Sequence, residues 1–172
     1  MTGLRYDIKP IEVLRAEIEA AASKWGLAPG TQFEAIGCDG VRCEWIRSDS
    51  DQPISDVVYL HAHGGGYYRV SSRVDAAICS FLCAASGARC LSVNYRRPPD
   101  EGVFPAALDD FVTAWKWLTS LSGGGVPASK IIVGGTSAGG GLCLALLLRL
   151  LGDADELPAA ACLVHPRLPG TN

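Results

Sequence analysis

A Gly-x-Ser-x-Gly segment lying between two apolar runs constrains this chain more than any other feature. Gly135-Thr136-Ser137-Ala138-Gly139 follows Ile131-Ile132-Val133 and precedes an apolar stretch from Leu142 to Leu151. A short β-branched run, then glycines, then a helix-length apolar stretch reads as strand, sharp turn, helix. A serine at the centre of such a turn stands clear of the sheet. Its neighbours must be small, because a larger Cβ would clash in the strained backbone. Ser137 is therefore the candidate nucleophile.

The remaining elements are expected to build a sheet around that turn. Ile11, Leu14, Ile18, Ala21, Ala22 and Trp25 recur at helical spacing, with Glu12, Arg15, Glu17, Glu19 and Lys24 elsewhere, and Gly26 with Ala28-Pro29-Gly30 ends the pattern. This amphipathic helix either forms a flap over a site or packs on the sheet. Gln32–Ile36 and Val41–Arg47 flank Asp39-Gly40, a hairpin signal. The polar segment Ser48–Ser55 reads as a loop. Strands follow at 56–62, 90–93, 131–133 and 159–164, separated by helical patterns at 73–86, 105–121 and 142–151. Such alternation predicts an α/β fold with a mainly parallel sheet, helices on both faces, and a leading hairpin. Functional sites in such sheets lie at the carboxyl ends of the strands.

One other glycine run falls on that edge. His63-Gly64-Gly65-Gly66 follows the strand ending near Ala62. Ester or amide cleavage passes through a tetrahedral oxyanion, which preorganised backbone N–H groups stabilise by roughly 2.7–4 kcal/mol per donor. Successive glycines let the backbone approach a ligand and turn its N–H groups inward. Gly65 and Gly66 are thus expected to supply two donors, and Ala138, just after the nucleophile, a third. His63 is expected to orient the loop by hydrogen bonds, with Gly64 supporting it. Gly123-Gly124-Gly125 reads only as a flexible turn.

Several other functions are disfavoured. No G-x-G-x-x-G register fits the glycine runs and no Gly-Lys-Ser/Thr follows one, which argues against dinucleotide and P-loop phosphate binding. A net charge of −3 without a Lys/Arg cluster argues against a nucleic-acid partner. Met1–Asp7 lacks a secretory pattern, and the longest apolar run is too short for a membrane span. The seven cysteines have no paired zinc-ligand spacing, so no metal is expected. They read as reduced, mostly buried thiols of a cytoplasmic protein.

Taken together, four segments resemble the hormone-sensitive-lipase (bacterial esterase) family of α/β-hydrolases. They are Tyr59-Leu60-His61-Ala62-His63-Gly64-Gly65-Gly66-Tyr67, Asn94-Tyr95-Arg96, Phe104 to Asp110, and Gly135 to Gly141. The resemblance runs over residues 57 to 166 in the family's order and spacing. Thr136 matches the subgroup with threonine before the serine. The family's Tyr-Arg-Leu-Ala-Pro-Glu is replaced by Tyr95-Arg96-Arg97-Pro98-Pro99-Asp100. Such a resemblance implies a carboxylic-ester hydrolase acting through an acyl-Ser137 intermediate on short-to-medium acyl esters. It implies a small-molecule ester as the partner, no cofactor, and a homodimer for the full-length form. Residues 1–30 would form a cap-like helical segment and 31–172 a partial α/β-hydrolase core.

Activation of Ser137 is the open element. A serine hydroxyl is a weak nucleophile unless a histidine, oriented by a carboxylate, takes its proton. The family order is Ser, then Asp or Glu, then His. After Ser137 the acids are Asp153, Asp155 and Glu156, all before the last strand, and the one histidine is His165. His165-Pro166-Arg167 stands where the family has an ordinary strand end. The chain therefore reads as cut short at its C-terminus, with the last strands and helices missing and Ala159–Val164 left as an open edge. Three outcomes remain: an ester hydrolase of low activity, a non-catalytic member that binds a small molecule, or an inert fragment.

Overall fold

The fold is that of a computed structural model, which describes residues 9–49 and 55–167. Met1–Asp7 lies outside the described residues, as does most of the loop Ser48–Ser55. Helix α1 (Ile11–Ala22) precedes the hairpin β1 (Thr31–Cys38) and β2 (Val41–Ser48). Then come β3 (Val58–Ala62), α2 (Ala76–Ser86), β4 (Arg89–Val93), α3 (Ala106–Thr119), β5 (Ile131–Thr136), α4 (Ala138–Asp153) and β6 (Ala160–Val164). The hairpin turns on Asp39 and Gly40, at φ 47° and 90°. Two positive φ values in a two-residue loop suit the twist of paired antiparallel strands, and Asp-Gly tolerates them.

Six strands lie in the order β1-β2-β4-β3-β5-β6. The pairs β1–β2 and β2–β4 are antiparallel; β4–β3, β3–β5 and β5–β6 are parallel. Alternation along β3 divides the core. Val58, Leu60 and Ala62 pack with Phe111, Trp115 and Leu118 of α3 and Leu142 and Leu146 of α4. Tyr59 packs on the opposite side, with Ile46, Cys90, and Cys79 and Cys83 of α2. The mainly parallel sheet with helices on both faces is as the sequence predicts. β6 pairs through one edge only among the described residues, and most of it is exposed.

Three local readings are corrected. The helical pattern from Arg73 begins as a 3₁₀ turn (Ser72–Asp75) before α2 starts at Ala76. α4 starts at Ala138, four residues ahead of the apolar run, so Gly139, Gly140 and Gly141 are helical and buried. Of the apolar positions read on α1, Ala21 and, just beyond the helix, Trp25 are exposed, whereas Arg15 is 8% exposed. Its guanidinium donates to the Tyr68 carbonyl (2.8 Å), to the Pro98 carbonyl (2.8 Å) and to Asp100 (2.8 Å). A charged head can be buried when every donor meets an acceptor, which hydrophobic periodicity does not register. With Ile18 and Ala22 against Val70 and Val74, Arg15 seats α1 on the segment after the triglycine loop.

Candidate active site

The register of β3 and β5 places Ala62 opposite Gly135. Adjacent parallel strands therefore end at one level, and the loops leaving them meet: His63–Gly66 from β3 and Thr136–Gly139 from β5. A Cβ on Gly64 would lie 3.0 Å from the Thr136 carbonyl oxygen and 3.9 Å from Ser137 Cβ. Ser137 has φ 54° and ψ −113°, a left-handed-side conformation that L-residues rarely adopt. It is partly exposed, while Ala138, the first residue of α4, is fully buried.

The close approach has a steric reason in Gly139. A Cβ there would collide with the Ala62 carbonyl oxygen and stand 2.7 Å from the His63 carbonyl oxygen. Both are backbone atoms at the end of β3. The turn on the other side of the site is tied to Ser137 as well. Ser137 N–H donates to the Val164 carbonyl (2.8 Å) and Arg167 N–H donates to the Ser137 carbonyl (2.8 Å).

The triglycine loop is held from behind. His63 is fully buried, stacked on Tyr95 with ring centroids 3.9 Å apart and planes at 7°. Its Nδ1 lies 3.0 Å from the Gly64 carbonyl, and the Tyr95 hydroxyl donates to the His63 carbonyl at 2.8 Å. A hydrogen bond to a carbonyl places the proton on Nδ1. Beyond it, Gly65 and Gly66 have φ of 90° and 66°. Of the predicted loop residues, Gly64 meets the elbow at Thr136 and Ser137, and the His63 carbonyl meets it at Gly139.

His165 is exposed, at φ 46°, on the segment that brackets the Ser137 backbone. Among the described residues no hydrogen bond joins a histidine to the Ser137 hydroxyl. Asp110, in the first turns of α3, ties that helix to the loop after β4: it accepts from the Arg96 backbone (2.8 Å) and guanidinium (2.8 Å). Two supporting groups escaped the sequence reading. Tyr95 stands in the sequence only as part of the segment Asn94-Tyr95-Arg96, and Asp75 only as one residue of the helical pattern 73–86. Asp75 Oδ2 accepts from Gly64 N–H at 3.2 Å and lies 3.0 Å from His61 Nε2. An acid just ahead of a helix on the strand–loop–helix unit was the only available signal.

Burial pushes the pKa of His63 down to about 4. In an unfolded chain the value is about 6.5. Between these values the unfolded chain takes up a proton that the folded one refuses, so stability falls as pH drops from about 6.5 to about 4. The loss is of the order of 3 kcal/mol. The urea midpoint measured across this window should decline, and His63→Gln should flatten the decline. An equal slope in that variant would refute the assignment.

A family model described as alpha/beta hydrolase fold matches residues 58–172. An acetyl-hydrolase of Streptomyces hygroscopicus is 34% identical over 160 residues, covering 93% of this chain and 50% of that protein. Among solved structures, an esterase from the bacterial hormone-sensitive lipase family superposes with a TM-score of 0.84 at 37% identity, covering 93% of this chain and 52% of the other. A hormone-sensitive lipase from a metagenome library gives 0.82 at 32% identity, covering 92% and 51%. The chain spans about half the length of the curated relatives it matches. Among the described residues no helix is long and apolar enough to cross a membrane.

Proposed function

Because this chain belongs to the alpha/beta hydrolase fold family, we propose that it carries the nucleophile and oxyanion-binding loop of a carboxylic-ester hydrolase. The reading rests on one observation above the others: the β3–β5 register that sets the triglycine loop against a serine at positive φ. Ser137 Oγ attacks the carbonyl carbon of a short-to-medium acyl ester. The carbonyl oxygen becomes an oxyanion facing Gly65, Gly66 and Ala138 N–H groups. The C–O bond to the alcohol then breaks as the alcohol oxygen takes up the proton lost from the Ser137 hydroxyl, leaving acyl-Ser137. Water then adds to the acyl carbon, one of its protons returns to Ser137 Oγ, and the acid is released. The reading invokes no metal and no cofactor. The seven cysteines are all free thiols, which supports a reducing, cytoplasmic setting.

Prolonged incubation with p-nitrophenyl butyrate tests the acyl-enzyme. Peptide mass spectrometry should find butyryl on Ser137 and none at that position in Ser137→Ala. No adduct, or adducts confined to lysines, would sink the proposal. A second reading is supported by the lack, among the described residues, of a histidine bonded to Ser137: a non-catalytic member binding small molecules in the same cleft. An ester that raises the melting temperature yet is recovered intact would favour it.

A further inference from the structure

Asp75 breaks a local rule. It occupies the position preceding α2, where an aspartate ordinarily accepts hydrogen bonds from the helix's own first-turn amides. Its side chain makes no such bond. The carboxylate instead turns back across the sheet end, with Oδ2 3.0 Å from His61 Nε2 and 3.2 Å from Gly64 N–H. The group is 8% exposed and His61 is 1% exposed. Burying a carboxylate is costly unless it is paired and hydrogen-bonded. Both of its partners lie outside the helix it precedes, on β3 and the loop that follows it, and one is the first glycine of the triglycine loop.

Resting on the reading of Gly65 and Gly66 as oxyanion donors, we infer that Asp75, held by His61, is the positioning residue that sets the triglycine loop. The Gly64 residue is fixed at both ends. Its N–H is held by Asp75, and its C=O is held by His63 Nδ1 at 3.0 Å. In a trans peptide the N–H of Gly65 points opposite to the C=O of Gly64. With Gly64 pinned on both sides, the direction of the next amide is set, and its glycine φ of 90° turns the chain onward. Gly64 is also the residue in contact with the elbow, at the Thr136 carbonyl. Asp75 therefore acts on the site through Gly64 and touches no reacting atom itself.

The charge state fits this role. Burial by itself would raise the Asp75 carboxyl, but His61 and the Gly64 N–H outweigh it and hold the group below its ordinary range. For His61, burial opposes the charged form, while Cys79 and Asp75 favour it and raise the pKa. A charged carboxylate gives Gly64 N–H a stronger acceptor than a neutral group would.

Asp75→Ala and Asp75→Asn test the inference through two readouts: amide hydrogen exchange at Gly64, Gly65 and Gly66, and the kinetics of Ser137 acylation by p-nitrophenyl butyrate. In Asp75→Ala the loop amides should exchange faster while those of Leu60, Leu91 and Val133 keep their protection. Acylation should slow by about 10- to 100-fold, the range typical of outer-shell partners, with the half-saturating ester concentration unchanged. Asp75→Asn, which retains an acceptor oxygen, should fall between wild type and alanine in both. Wild-type exchange and acylation in Asp75→Ala would overturn the inference. So would core amides loosening in step with the loop. If the alanine variant does not fold, loop exchange in Asp75→Asn decides: faster than wild type supports the inference, equal overturns it. A loosened loop with undiminished acylation would uphold Asp75 as the anchor and refute the oxyanion role of Gly65 and Gly66. The two readings thus fail separately.

Discussion

Given p-nitrophenyl butyrate, the 172-residue chain is expected to release p-nitrophenol roughly 10⁶-fold more slowly than a complete serine hydrolase. That factor is what loss of the histidine alone costs kcat in subtilisin, about 2 × 10⁶. The physical reason is proton transfer. A serine hydroxyl attacks a carbonyl only as its proton leaves, and among the described residues no histidine is hydrogen-bonded to Ser137. On the proposed role of the Gly65, Gly66 and Ala138 amides, oxyanion stabilisation would still act, so a residual rate dependent on Ser137 should persist. Steady-state release measured for the wild type, Ser137→Ala and His165→Ala checks this. Turnover at the level of a complete esterase, abolished by Ser137→Ala, would overturn the prediction. If His165→Ala abolished it too, His165 would be the base, from an exposed position on the segment bracketing Ser137.

Gly139→Ala is expected to destabilise the fold by roughly 3 kcal/mol or more, at the upper end of what overpacking costs. Helix propensity points the other way, since alanine is about 1 kcal/mol better than glycine within a helix. Contact decides the sign. The new methyl would collide with the Ala62 carbonyl oxygen, and the β3–β5 pairing leaves that atom no room to retreat. Gly152, in the same helix, has nothing within 4 Å of a built Cβ. Gly152→Ala should therefore be neutral or raise stability by up to about 1 kcal/mol. Urea unfolding of the three proteins checks the contrast. Equal midpoints for Gly139→Ala and wild type would mean that the two loops are not pressed together as described.

The elbow was legible because its signal is local. β5, Ser137 and α4 are consecutive, and the glycines fall where the turn needs them. The triglycine loop was legible for the same reason, as a run following a strand. Even the hairpin turn at Asp39-Gly40 could be read from a dipeptide. The helix boundaries were less so: Gly139–Gly141 are poor helix formers alone, yet they open α4 because only residues without a side chain fit that close to the end of β3 and to Pro166 and Arg167.

What hydropathy could not supply was the destination of polar groups. Arg15 lies on the polar side of its helix by sequence and is buried by the tertiary fold, because acceptors at Tyr68, Pro98 and Asp100 converge on it. Asp75 looks like one more residue in a helical pattern and is instead bound to His61 and Gly64. Both interactions join segments far apart in the chain, and no periodicity encodes them.

By itself the sequence determined the elements, their alternation and the place of the serine elbow, since each follows from residues adjacent in the chain. Only the tertiary structure decided which strands are neighbours. The order β4-β3-β5 sets two loops separated by some seventy residues side by side, with Ala62 opposite Gly135 and Asp75 and Tyr95 behind the glycines. The reason is that strand pairing is a choice among long-range partners of similar apolar pattern. It is made by the packing of both sheet faces together, and no single segment contains it.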